Sequence, residues 1–84
     1  MKVYVGNLPW SVKDADLREL FAPFGNVDSA EVVTDRDSGR SRGFGFVEMA
    51  TNHAAQAITK LNGREVESRA LRVSEAQDKR AAGF

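Results

Sequence analysis

The chain contains no cysteine and only one histidine, His53, among its 84 residues. Without thiols it forms neither a disulfide framework nor a thiolate metal site, and one imidazole excludes most other transition-metal sites. There is no uninterrupted apolar stretch of the roughly 18 residues that a membrane helix needs, and no charged-then-apolar layout typical of a signal peptide. These absences predict a protein without metal, cofactor or membrane association and with a cytoplasmic location.

An excess of charge of one sign is also missing. The 12 basic and 12 acidic residues give a formal net charge of zero, whereas strong nonspecific binders of polyanions usually carry a basic excess. The distribution is uneven: arginines cluster at positions 36, 40 and 42, and carboxylates at positions 14, 16 and 19. Any binding of nucleic acid is therefore expected to depend on local stacking and hydrogen bonding more than on bulk attraction.

The hydrophobic pattern predicts one small domain with six main elements. Strands are predicted over residues 2–8, 27–34, 42–49 and 70–74. Helices are predicted after Ser11 and Thr51, each placed as an N-cap residue. This βαββαβ order predicts an α+β, ferredoxin-like sandwich, in which two helices cover one face of a four-stranded antiparallel sheet. The domain is expected to span residues 1–76, followed by a polar tail over residues 77–84.

Residues 42–49 form the most informative segment of the sequence. In a strand, alternate side chains share a face, so Arg42, Phe44, Phe46 and Glu48 would point one way. Glycines, a valine and Met49 would point the other way, toward the core. Because Arg42 and Glu48 resist burial, the phenylalanines are predicted on the solvent face. Exposed aromatic rings beside an arginine suit unpaired nucleobases, since every base offers a π-face and every nucleotide a phosphate.

These residues resemble the RNA recognition motif family. The family's octet K/R-G-F/Y-G/A-F-V-x-F/Y matches residues 42–49 at every position but the last, where Met49 replaces an aromatic residue. Its companion hexamer is matched by Val3-Tyr4-Val5-Gly6-Asn7-Leu8. A single domain with a short tail is similar to the small single-motif RNA-binding proteins of bacteria. The resemblance covers about residues 2–76.

The resemblance implies specific roles for individual residues. Tyr4 and Phe44 would stack two neighbouring bases of single-stranded RNA, Phe46 would contact their sugars, and Arg42 would contact the intervening phosphate. Further candidate RNA contacts, each of which could equally be ordinary surface, are Lys2, Glu31, Arg72 and Ser74 on the sheet, Arg40 in the loop before the octet, and Lys79 and Arg80 in the tail.

For three other residues, a structural role is weighed against a role in binding. Asn7 is expected to shape the loop after the first strand and not to read a base. Trp10 is expected to cap the start of the first helix, with base stacking as the alternative. His53 is expected on the surface, away from the open face of the sheet.

Two alternative functions differ in class. A protein-interaction module would use the helical face, but the segment after the second helix, Arg64-Glu65-Val66, lacks the aromatic residue of peptide-binding family members. An acyl-phosphate hydrolase would need an arginine in the loop after the first strand, and residues 7–11 contain none. The sequence thus predicts a monomeric, non-enzymatic binder of single-stranded RNA that binds single-stranded DNA more weakly.

Overall fold

The structure, a computed structural model, describes residues 1–76. Tail residues 77–84, including Lys79 and Arg80, lie outside the described residues. The elements follow in the order β1 (Lys2–Gly6), α1 (Asp14–Phe21), a 3₁₀ turn (Ala22–Phe24), β2 (Val27–Thr34), β3 (Ser41–Met49), α2 (Thr51–Leu61), β4 (Glu65–Val66), β5 (Arg69–Ala70) and β6 (Arg72–Glu75). The predicted βαββαβ order is confirmed, with the short hairpin β4–β5 inserted before the last strand.

The main sheet has four antiparallel strands in the spatial order β2-β3-β1-β6. The two central strands, β1 and β3, are therefore bonded to a neighbour on both sides. They pair with Tyr4 opposite Phe46 and Gly6 opposite Phe44. This register brings the first strand and the octet side by side in the middle of the sheet.

The core lies on one face of the sheet, between the strands and both helices. Strand residues Val3, Val5 and Val47 are fully buried there, and they pack with Leu17 and Phe21 of α1 in one cluster. Helix α2 adds Ala54, Ala57 and Leu61, which lie on one side of the helix because their spacing follows its period. Met49 is also buried, as its place in the strand alternation predicts. The opposite face of the sheet carries neither helix.

Helix α1 begins later than the sequence predicts. Its N-cap is Lys13, whose backbone N–H donates to the Asp16 carboxylate at 2.9 Å. This is the bond that the N3 side chain of a capping box makes to the N-cap backbone. Ser11, predicted as the cap, instead donates its hydroxyl to Glu67 at 2.7 Å. The predicted cap is wrong because its hydroxyl has a partner 56 residues away that local sequence does not reveal.

Other boundaries also differ from prediction, and the first strand ends at Gly6 instead of Leu8. Thr51 is the first residue of α2 and Ala50 precedes it as the N-cap, with no side-chain capping bond. Ala70 pairs with Glu65 in the β4–β5 hairpin instead of opening the last strand, which begins at Arg72. Within residues 1–76, no helix is long and apolar enough to cross a membrane.

Candidate nucleic-acid interface

Three aromatic side chains, Tyr4, Phe44 and Phe46, form a cluster on the open face of the sheet. The ring centroid of Tyr4 lies 6.0 Å from that of Phe44 and 6.0 Å from that of Phe46, and the two phenylalanine centroids are 6.1 Å apart. All three are only partly buried, although alternate residues of the same strands are buried completely. The planes of Tyr4 and Phe44 differ by 33°, whereas Phe46 is edge-on to Phe44 at 88°. Tyr4 and Phe44 thus offer two similarly oriented faces, and Phe46 stands edge-on at the third corner of the cluster.

The strand register places four candidate residues in one row across the sheet. Glu31 of β2 is opposite Phe46, Phe46 is opposite Tyr4, and Tyr4 is opposite Ser74 of β6. Directly opposed residues of antiparallel strands project to the same face. Glu31 and Ser74, both exposed, therefore flank the aromatic cluster at its two sides.

The rows on either side of this one carry the cations. Arg72 is opposite Gly6, which in turn is opposite Phe44, so an exposed guanidinium stands at the Phe44 end of the cluster. At the other end Lys2 is opposite Glu48, and its Nζ lies 4.9 Å from the Phe46 ring centroid. This separation is within cation–π range. Lys2 therefore partly covers Phe46 in the free protein.

Gly6 leaves room for the Tyr4 ring to lie along the strand. A Cβ atom at position 6 would come within 2.5 Å of the Tyr4 hydroxyl oxygen and 2.9 Å of two ring carbons. Sequence alternation alone predicts that Tyr4 and Gly6 share a face, but not that the ring leans over the glycine. The glycine therefore determines where the Tyr4 ring sits.

Strand β3 is irregular immediately before the aromatic cluster. Gly43 has a φ of 84°, and the β2–β3 register shifts between Val32 and Thr34. Such a bulge interrupts the alternation of side chains. The sequence prediction used strand alternation to place Arg42 on the same face as Phe44. Because of the bulge, alternation no longer determines on which face the exposed Arg42 side chain lies.

Arg42 is close enough to the loop before β3 to affect Asp35. The pKa of Asp35 is lowered from its ordinary value because its carboxylate accepts the backbone N–H groups of Ser38 (3.1 Å) and Asp37 (2.8 Å), and because Arg42 supplies positive charge. The Asp35 N–H also donates to the carbonyl of Arg40. The loop is thus a hydrogen-bonded turn that holds exposed Arg40 just beyond the open face.

The loop after β1 is tied to the β4–β5 hairpin. Asn7, in the left-handed region at φ 59°, donates its amide to the Ala70 carbonyl at 2.8 Å and accepts the Arg69 guanidinium at 3.1 Å. The expectation that Asn7 shapes the loop agrees with these contacts.

Trp10 does not lie where the sequence predicts, and His53, though in the first turn of α2 as predicted, is less exposed than predicted. Trp10 is 66% exposed and does not cap the helix. His53 is half-buried, because the missing side chain of Gly25 lets the imidazole pack against the backbone there. Its Nδ1 is buried without a hydrogen-bond partner among residues 1–76.

The sequence model of the RNA recognition motif family matches residues 3–72. The chain belongs to the RNA recognition motif family. A chloroplastic 31 kDa ribonucleoprotein of Nicotiana sylvestris is 49% identical over 79 residues, covering 93% of this chain and 25% of the relative. The crystal structure of the RNA-binding protein PG1 superimposes with a TM-score of 0.89 at 51% identity, covering 93% of this chain and 95% of that one.

Structures containing RNA are also similar. A Sxl-lethal protein/RNA complex superimposes with a TM-score of 0.87 at 31% identity, covering 92% of this chain and 47% of that one. The likeness of this RNA recognition motif therefore extends to proteins captured with RNA. These comparisons do not favour the alternative of a protein-interaction module that uses the helical face.

The comparisons correct one expectation. Relatives from tobacco and spinach are named chloroplastic, and one from Arabidopsis thaliana is named mitochondrial. These names point to an organellar location, so the predicted cytoplasmic location is wrong. The chain spans 22% to 36% of the length of the chloroplast relatives, so the RNA recognition motif described here corresponds to one part of those proteins.

Proposed function

We propose that this domain binds single-stranded RNA by stacking about two to four nucleotides on the open face of its sheet. The observation that carries the proposal is the cluster of Tyr4, Phe44 and Phe46, whose rings lie about 6 Å apart on a face that residues 1–76 leave uncovered. Soluble proteins normally bury aromatic rings or leave them isolated, and a contiguous exposed group marks a binding surface. Bases stack on such rings regardless of sequence.

The roles of the cluster follow from ring orientation. Tyr4 and Phe44 present similarly tilted faces for two adjacent bases, and the edge-on Phe46 beside them contacts the sugars. Lys2 moves from the Phe46 ring to a phosphate when RNA arrives, because a phosphate competes with the weaker cation–π contact.

The polar residues around the cluster supply selectivity. Glu31 and Ser74, at the two sides of the Tyr4–Phe46 row, reach base edges. Arg72 holds a base or phosphate at the Phe44 end, and Arg42 and Arg40 hold phosphates from the loop side. A carboxylate at one side and a hydroxyl at the other impose different hydrogen-bonding demands on the two ends of a stacked dinucleotide.

The proposal implies modest affinity and no bond chemistry. Each base stacked on an aromatic ring contributes about 1–3 kcal/mol. Two or three stacks, offset by the ordering of a flexible strand, give a dissociation constant on the order of 1 μM. The domain acts as a monomer without a cofactor, and single-stranded DNA binds more weakly because it lacks the 2′-hydroxyl.

Fluorescence anisotropy of a labelled, randomised single-stranded RNA tests the mechanism. Phe44→Ala and Phe46→Ala are each expected to weaken binding by about 5- to 150-fold, the equivalent of one lost stack. Gln56→Ala, an exposed change on α2 on the other side of the molecule, should leave the affinity unchanged. If a folded double variant lacking both phenylalanine rings retains wild-type affinity, the stacking mechanism is wrong.

A further inference from the structure

Trp10 is the large hydrophobic residue that the described part of the fold leaves most exposed, at 66%. It belongs to neither the core cluster nor the aromatic cluster on the sheet. The cause is local: the N–H of Val12 donates to the carbonyl of Pro9 at 3.1 Å, closing a turn with Trp10 and Ser11 at its tip. Side chains at the tip of a tight turn project away from the backbone that closes it, so the indole is held toward solvent.

This turn stands at one end of the aromatic cluster. Strand β1 carries Tyr4 and then Gly6, which is opposite Phe44, and the chain continues directly into the loop that contains Trp10. The N–H of Leu8 donates to the carbonyl of Gly43 at 2.8 Å, so the start of this loop remains bonded to β3. A nucleotide strand that crosses Tyr4 and Phe44 in this direction reaches the Trp10 loop next.

Hydrogen bonds hold both ends of this loop in place. Asn7 bonds to the backbone of Ala70 and to the guanidinium of Arg69, and Ser11 bonds to Glu67 at 2.7 Å. The indole is thus presented on a segment anchored to the β4–β5 hairpin. Such anchoring lowers the entropy cost of using a side chain as a stacking surface.

Charge determines which ligand suits this position. Arg69 contacts the loop itself, and Arg72 stands beside Gly6 at the loop's beginning. A neighbouring groove along α1, lined in part by Asp16, Glu19 and Glu67, repels phosphate. Arg69 and Arg72 therefore lie at the start of the loop, whereas Glu67 bonds to Ser11 beyond Trp10, so a polyanion leaving the sheet at Phe44 meets the arginine end first.

We propose that Trp10 is an additional base-stacking site, which binds the nucleotide following those held by the aromatic cluster. The inference rests on the proposed RNA-binding function and extends it by one subsite. It predicts a dependence on RNA length: a dinucleotide occupies the cluster alone, whereas a strand of four to six nucleotides also covers the indole.

The chain offers a direct probe, because Trp10 is its single tryptophan. Titration of the 84-residue protein with randomised RNA of six nucleotides should quench its tryptophan fluorescence, and a dinucleotide should bind with much less quenching. In anisotropy, Trp10→Leu should weaken binding of the hexanucleotide by about fivefold or more and leave dinucleotide affinity unchanged. Trp10→Phe, which keeps an aromatic face, should retain more affinity than the leucine variant.

The controls separate this inference from the underlying function. Because Trp10 is exposed, its variants should keep the wild-type circular dichroism spectrum and unfolding midpoint. If the wild type binds the hexanucleotide without quenching, and Trp10→Leu binds equally well, the subsite is wrong while sheet-face binding stands. If the wild type binds neither oligonucleotide, the proposed function fails and the subsite fails with it.

Discussion

Gly6 and Gly45 are glycines of adjacent central strands, but they lie on opposite faces of the sheet. At Gly6 the three atoms nearest to a Cβ atom would all belong to the far end of the Tyr4 side chain. At Gly45 it would meet the Glu31 backbone carbonyl at 2.5 Å and the Leu17 side chain at 3.0 Å. Gly45 thus allows α1 and β2 to approach β3 closely, whereas Gly6 positions a ligand-facing ring.

The two alanine substitutions should therefore have different consequences. Gly45→Ala is expected to lower the free energy of unfolding by about 1–3 kcal/mol, because the added methyl group would displace the backbone of β2 or the packed Leu17 side chain. Gly6→Ala should change it by less than about 1 kcal/mol but weaken RNA binding severalfold, since the Tyr4 ring must leave its place. Urea unfolding and RNA anisotropy on both variants provide the measurements. Equal loss of stability in both would contradict this assignment.

At the scale of elements, the βαββαβ order and the bounds of β2 were predictable from the sequence. The alternation of apolar and polar residues, and the residues that end strands and helices, are signals contained in the local sequence. The start of α1 was not predictable, since Ser11 is the better N-cap by residue type, and its hydroxyl bonds instead to distant Glu67 while the helix begins after Lys13. The exposure of Trp10 has a different cause, the local turn that the Val12 N–H and the Pro9 carbonyl close, which the sequence analysis did not predict. The family octet predicted the cluster of aromatic rings, but the bulge at Gly43 removed the local rule that placed Arg42 with them.

The loop between β2 and β3 should respond to acid through Asp35. Its folded-state pKa lies below the ordinary value of 3.8, because Ser38 and Asp37 N–H groups and the Arg42 charge favour the carboxylate. Because folding lowers the pKa of Asp35, the ionised carboxylate stabilises the folded protein. This contribution to the free energy of unfolding is present above the unfolded pKa and is lost as pH falls through the folded pKa. In an NMR titration, the amide shifts of Ser38 and Asp37 should move with a midpoint below 3.8. A midpoint at or above that value would contradict the assigned contacts.

At the scale of the whole molecule, zero net charge separates this domain from binders that rely on bulk electrostatic attraction. Acidic residues of α1 and Glu67 lie around a groove away from the sheet face, whereas Lys2 and Arg72 stand at the two ends of the aromatic cluster. The molecule is neutral as a whole, and its open face also carries both signs, because Glu31 and Glu48 lie beside the cluster together with Lys2 and Arg72.

The affinity for single-stranded RNA should consequently fall only gently with salt. With about two or three phosphate contacts, the logarithm of the association constant should change with the logarithm of salt concentration with a slope of about −1 to −2. Anisotropy titrations over a series of potassium chloride concentrations measure this slope. A value steeper than about −4 would mean that phosphates, and not stacked bases, dominate the binding free energy.

The order β2-β3-β1-β6 has a consequence for the energetics of recognition. All three rings of the cluster stand on the two strands that are bonded on both sides. Backbone amides in such strands exchange with solvent mainly through global opening, so the ligand-facing surface persists until the entire domain unfolds. Binding and folding then form one linked equilibrium. RNA that binds only the folded domain stabilises it by RT ln(1 + c/Kd), where c is the free RNA concentration, so the melting temperature should rise with the RNA concentration.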